Sequence, residues 1–105
     1  MTQTRLEKLE NLVEKNPGDA FVRYGLALEY RSLGLEESAR DTFEYLLDEH
    51  PDYVPTYLQF GQMLIELDEL DRAREVLSRG IEEAHRQGDQ KSVSELGDAL
   101  EGLDV

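Results

Sequence analysis

The 105-residue chain has no cysteine and no tryptophan, and only three prolines. Without cysteine there can be no disulfide, no thiol nucleophile and no thiolate metal site, and the redox compartment stays open. No apolar run reaches the 18 residues or so that a membrane-spanning helix needs. Positive charge is scarce too: eleven Lys and Arg stand against 24 Asp and Glu, a formal net charge of −13. A phosphate binder needs a basic footprint to displace counterions, so nucleic acid and anionic membrane surfaces are excluded as expected partners. The basic residues read as scattered among carboxylates, and the excess acid reads first as solubility, with attraction of a basic partner as the alternative. The start, Met1-Thr2-Gln3-Thr4-Arg5, leads into a charged amphipathic segment and not a secretory apolar run, which gives the expectation of a cytoplasmic protein.

What is present is helical periodicity. Six segments carry apolar residues three and four apart, and none alternates like a half-buried strand. The first holds Leu6, Leu9, Leu12 and Val13 and ends at Asn16-Pro17-Gly18. The second runs from about Asp19, with Val22, Leu26, Tyr30 and Leu33 as its inward set and Gly34 placed to end it. The third carries Ala39, Phe43, Leu46 and Leu47 before His50-Pro51. The fourth carries Tyr57, Phe60, Leu64 and Leu67, with Asp52 as expected N-cap and Pro55 in the first turn. The fifth holds Ala73, Val76, Leu77, Ile81 and Ala84, and the sixth Val93, Leu96, Leu100 and Leu103 behind Asp89 as cap. Pairs four apart (Glu36 with Arg40, Glu75 with Arg79, Glu82 with Arg86) are expected on the solvent faces of the third and fifth helices. Breaks this short permit only antiparallel neighbours. The fold class is all-α.

The segments repeat. A shift of 34 residues lays Pro17 on Pro51, Leu26 on Phe60, Ala27 on Gly61, Leu33 on Leu67 and Ala39 on Ala73. It also lays Leu9 on Phe43 and then Leu77, and Val13 on Leu47 and then Ile81. Two extra residues before the last segment restore the register, so that Phe60 meets Leu96, Gly61 meets Gly97 and Leu64 meets Leu100. Small residues at the crossing point of two helices let the backbones approach, which gives Ala27, Ala39, Gly61 and Ala73 a physical role.

With its large-small pairs (Leu26-Ala27, Phe60-Gly61, Leu96-Gly97), its Ala39 and Ala73, and its closing Pro17 and Pro51, this pattern resembles the tetratricopeptide repeat. The resemblance covers nearly the whole chain as a single domain, 1–105. It comprises a half repeat (2–19), two full repeats (20–53 and 54–87) and a terminal helix (89–103). It implies antiparallel helical hairpins stacked as a short right-handed superhelical solenoid of about six helices. Three positions depart from the family pattern: Arg23 for a bulky aromatic, Asp68 where Gly34 stands in the other copy, and His85 where Pro would close the repeat. The last implies a fifth helix longer by about a turn.

In the resembled family the first-type helices line a concave groove that receives peptides or helices. Carried over, the groove comprises Phe21, Tyr24, Gly25, Leu28 and Arg31 from the second helix. The fourth adds Leu58, Gln59, Gln62 and Ile65, and the sixth Lys91, Ser94, Glu95 and Asp98. Phe21, Tyr24 and Leu28 form a second apolar stripe beside the inward one, and a helix apolar on two faces is either buried on both or short of a partner. The stripe therefore has two readings, groove wall or core beneath the first helix. The family members that grip chaperone carboxylate tails use Lys, Asn and Arg at positions held here by Tyr24, Leu28, Gln59, Lys91 and Glu95; only Lys91 matches.

Little else in the sequence carries chemistry. His50 and His85 sit at helix ends, where partial positive charge complements unpaired carbonyls. Asp68-Glu69-Leu70-Asp71 lacks the Gly and distal Glu of a calcium loop. Gly-rich phosphate loops are absent, and the five Tyr sit mainly at core spacing. No catalytic residue, metal ligand or cofactor is expected. The expected function is a non-catalytic interaction module for a protein or peptide partner, with homo-oligomerisation through the groove or terminal helix as the alternative.

Overall fold

The computed structural model describes residues 3–103; Met1, Thr2, Asp104 and Val105, included in the 1–105 span, lie outside the described residues. Six helices and no strand occur among the described residues: α1 (Arg5–Lys15), α2 (Ala20–Ser32), α3 (Glu36–Glu49), α4 (Pro55–Glu66), α5 (Leu70–Arg86) and α6 (Gln90–Gly102). They fall into two units, Met1–His50 with α1–α3 and Pro51–Val105 with α4–α6. In the first, α2 packs on both α1 and α3; in the second, each helix packs on the other two.

Local chemistry sets the helix ends. Thr4 and Glu7 form a reciprocal capping box at α1, with the Glu7 N–H donating to Thr4 Oγ1 at 3.1 Å. Asp19 accepts from the Val22 N–H at 3.2 Å, and Asp89 from the Ser92 N–H at 3.1 Å. The fourth helix departs from expectation. Pro55 is its first residue, which moves the cap position to Val54 and leaves Asp52 outside it. Proline needs no N–H partner there and its fixed φ suits the start, while Val54 serves as a buried anchor. At the other ends, α2, α4 and α5 close alike. Leu35, Glu69 and Asp89 donate backward to the carbonyls of Tyr30, Leu64 and Ala84 at 2.9 Å, across a residue with positive φ. That residue is Gly34 (φ 73°), Asp68 (φ 60°) or Gly88 (φ 74°). Asp68 thus takes the same left-handed turn as the glycines, at a steric cost they avoid.

The repeat register is visible in burial. Leu26, Ala27, Ala39 and Phe43 are buried in the first unit, and their counterparts Phe60, Gly61, Ala73 and Leu77 in the second. Each fully buried large side chain is worth roughly 1.5–3 kcal/mol. Gly61 is needed: a Cβ there would lie 2.5 Å from Leu77 Cδ2 and 2.8 Å from its Cγ. The approach thus runs onto the leucine a turn beyond Ala73. The third copy of this position, Gly97, has nothing within 4 Å. Gly80 marks a second close approach, with Tyr57 Cβ at 2.5 Å and Leu96 Cδ1 at 3.1 Å from a built Cβ, so α5 meets α4 and α6 at one residue.

Several sequence expectations change. Leu33 follows the last residue of α2 and is 54% exposed rather than inward. Tyr57 is the one buried tyrosine; Tyr45 is exposed and Tyr30 sends its hydroxyl out to Glu10 Oε2 at 3.0 Å. Arg86 turns to Glu83, three residues back, not to Glu82, with Nε to Oε2 at 3.0 Å. Glu83 sits at the buried edge of α5 and has the stronger call on a cation. Likewise Glu75 takes Arg72 at 3.1 Å, while the Arg79 guanidinium lies 5.9 Å from the Tyr57 ring centre. As the His85 departure implied, α5 runs to 17 residues against 14 for α3. Its C-terminal end is tied to the loop ahead of α4 by Gln87 Nε2 donating to the Asp52 carbonyl at 2.7 Å.

The Arg23 departure has a structural counterpart. Arg23 Nη2 donates to the Pro17 carbonyl at 2.9 Å, and its guanidinium stacks 3.9 Å from the Tyr45 ring centre. In the second unit the Tyr57 hydroxyl donates to the Pro51 carbonyl at 2.5 Å, beneath Arg79. Arg23 aligns with Tyr57 and Tyr45 with Arg79, so both units build one cation–π pair with the partners exchanged.

Candidate functional site

In the first unit α1 lies along α2 and leaves a groove of about 280 Å³ open between them. The fit at its floor is close without being tight, since a Cβ built on Gly25 would stand 3.5 Å from Leu9 Cδ2. From α1 come Arg5, Leu9 and Leu12; from α2 come Phe21, Val22, Tyr24, Gly25 and Leu28. Phe21 is 71% exposed and Leu12 44%, while Tyr24 and Leu28 are half-buried. Two polar contacts pin the helices on either side. Arg5 Nε stands 3.5 Å from Glu29 Oε1, whose side chain is nearly buried. On the far side Tyr30 holds Glu10; burial, then the bond and charge of that carboxylate, raise the tyrosine's pKa.

The structure gathers Phe21, Tyr24, Gly25 and Leu28 into this groove. Arg31 is half-buried farther along α2. Leu58, Gln59 and Ile65 are half-buried on α4 and Gln62 is exposed there; Lys91, Ser94, Glu95 and Asp98 are exposed on α6. All of these α4 and α6 residues belong to the second unit. Sequence reasoning did not include Arg5, Leu9, Leu12 and Val22 in the groove. The signal was present, since positions 5, 9 and 12 fall on one helix face, but the leucines had been assigned wholly to the inward stripe.

A polar depression of about 310 Å³ in the second unit is lined by Pro51, Tyr57, Arg79, Glu82, Glu83 and Arg86. Its charged groups offset one another. The bond from Arg86 holds the Glu83 carboxyl below its ordinary range, and burial pushes the Tyr57 hydroxyl up against the opposing charge of Arg79. Among the described residues no three His, Asp or Glu are grouped to hold a metal ion, and no helix is long and apolar enough to cross a membrane.

The fold, as distinct from the groove, has known relatives. The family profile described as "Tetratricopeptide repeat" matches residues 32–94. A TPR repeat-containing protein of Pseudomonas aeruginosa is 26% identical over 99 residues, 94% of each chain. Among solved structures, the crystal structure of a tetratricopeptide repeat domain protein from Salinibacter ruber is 40% identical. It covers 82% of this chain and 96% of its own, with a TM-score of 0.77. The solution structure of a Bordetella parapertussis protein covers 98% of this chain and 90% of its own at 25% identity and a TM-score of 0.82.

Proposed function

Since the chain belongs to the tetratricopeptide repeat family, we propose that it is a non-catalytic adaptor or scaffold that holds a peptide or helix of a protein partner. Repeats of this family generally serve in protein–protein interaction, and the α1–α2 groove is the seat proposed for this chain. One observation carries the reading: Phe21 and Leu12 are both exposed and line one groove that is otherwise mostly apolar, with Arg5 and Tyr24 as its polar members. One third of this chain is charged, so a contiguous apolar depression is not the default surface. Helices already packed and capped lose little freedom on binding, which leaves the apolar contact free to act as affinity. Phe21, Tyr24 and Leu28 are the proposed anchors. Arg31 is a proposed contact farther along α2; in the second unit, taken by itself, Leu58, Gln59, Gln62, Ile65 and Lys91 are proposed contacts, with the amides satisfying partner backbone.

The test is a pull-down from the source organism with the intact chain and with Tyr24→Ala/Leu28→Ala. Partner capture should fall by more than the variant's loss of stability accounts for. If capture and stability fall in proportion, the two residues are core and the groove reading is wrong. Light scattering across a concentration series separates partner binding from self-association, which would show as a mass that climbs with concentration.

A further inference from the structure

We propose that the α1–α2 groove takes an acidic amphipathic segment of a partner, its apolar side chains in the groove and its carboxylates along the outer rim of α1. This rests on the groove reading above and adds the charge of the occupant. Along the chain the basic residues look scattered, but the helix sorts them. Arg5, Lys8 and Lys15 recur at helical spacing on the flank of α1 that contains Leu12, and all three are exposed. Glu7, Glu10 and Glu14 recur on the opposite flank, the one that reaches Tyr30. Leu6, Leu9 and Val13 lie between the two flanks, half-buried.

The cationic flank borders the groove. Leu12 lines both the groove and a neighbouring depression of about 370 Å³ formed with Gln3, Lys8, Asn11 and Lys15. The α2 wall has one acid, Glu29, held against Arg5, so the positive charge left for a partner on this side is that of Lys8 and Lys15. A chain with more than twice as many acids as bases thus keeps carboxylates off the lining of this apolar groove. Phe21 to Leu28 spans about 10 Å, or two helical turns. That length suits two or three large apolar anchors three, four and seven residues apart. Rim charges of this kind pair at short range and fix register, and the pairing weakens as salt rises.

The experiment pans a random 16-residue peptide library displayed on phage against the intact chain. Enriched peptides should carry apolar residues at helical spacing with a net negative charge. The charge reversal Lys8→Glu/Lys15→Glu should weaken them at least tenfold, and raised salt should do the same. Both lysines are exposed, so the circular dichroism should be kept, with the unfolding midpoint lowered only slightly by the carboxylate placed in the last turn of α1. Enriched peptides that are neutral or basic, or indifferent to the reversal, would overturn the proposal and leave the groove reading standing. No enrichment above the Tyr24→Ala/Leu28→Ala background would remove both. Self-association abolished by the reversal, with no peptide enriched, would give the surface to a second copy and overturn the proposal as well.

Discussion

Gly61 and Gly97 occupy the same position in the repeat, and alanine there should act in opposite directions. At Gly61 the new Cβ would stand 2.5 Å from Leu77 Cδ2 and 2.8 Å from Cγ. Because the closer approach includes Cγ, the whole leucine side chain must move, and Leu77 has no exposed surface into which to swing. Overpacking of this kind costs about 1–3 kcal/mol, offset by about 0.5–1 kcal/mol from replacing a mid-helix glycine. A contact this close on a side chain with no room puts the packing cost in the upper half of its range, so the net for Gly61→Ala is a loss of about 1–2.5 kcal/mol. At Gly97 nothing lies within 4 Å, so only the helix term remains and Gly97→Ala should gain about 0.5–1 kcal/mol. Urea unfolding followed by helical circular dichroism measures both, with the midpoint shifting at constant slope. In a domain of this size the Gly61 variant should melt lower by roughly 4–20 °C. Leu77→Val should recover part of the loss in the double variant, because it removes a carbon from the clash. A Gly61→Ala protein as stable as the parent, or a Gly97→Ala protein less stable than it, refutes the packing argument.

Gly34→Ala should cost about 1–2 kcal/mol from the left-handed turn, whereas Asp68→Gly at the matching turn should stabilise by under about 1 kcal/mol, both read from unfolding midpoints. The exchanged pair Arg23→Tyr/Tyr45→Arg should be less damaging than the sum of the single changes, with a coupling of about 0.5–1 kcal/mol in a double-mutant cycle. Additive losses would deny the pairing. The Glu83 carboxyl titrates below its ordinary 4.5 in the folded chain, because the Arg86 bond favours its charged form. Its stabilisation is therefore complete above that value and fades as pH falls through the lower folded one. Glu83→Gln should flatten that part of the stability-versus-pH curve; an unchanged acid limb would show that the bond contributes nothing.

The helices, their order and their repeat register were legible because period and duplication are properties of spacing. Leu26, Phe60 and Leu96 announce themselves as one position, and Ala39 and Ala73 as another. What escaped was whatever depends on where side chains from different helices converge. Gly80 aligns with Leu46 and reads as an irregularity until Tyr57 and Leu96 are seen to meet there. Arg23 reads as a departure from pattern because its partner, Tyr45, lies on another helix and the compensating exchange lies in another repeat. The groove was half legible for the same reason. Phe21, Tyr24 and Leu28 share a helix face, but Arg5 and Leu12 enter only when α1 is laid beside them.

The exchanged arginine–tyrosine pairs bear on how two look-alike hairpins avoid each other's halves. While the chain is collapsing, α2 could try α5 in place of α3, since the two candidates offer the same apolar pattern. That mismatch would bring Arg23 against Arg79, and the converse one would leave Tyr57 facing Tyr45 with no cation between them. Each wrong couple loses an attraction and the first gains a repulsion, so the exchange acts between duplicates as a lock and its own key.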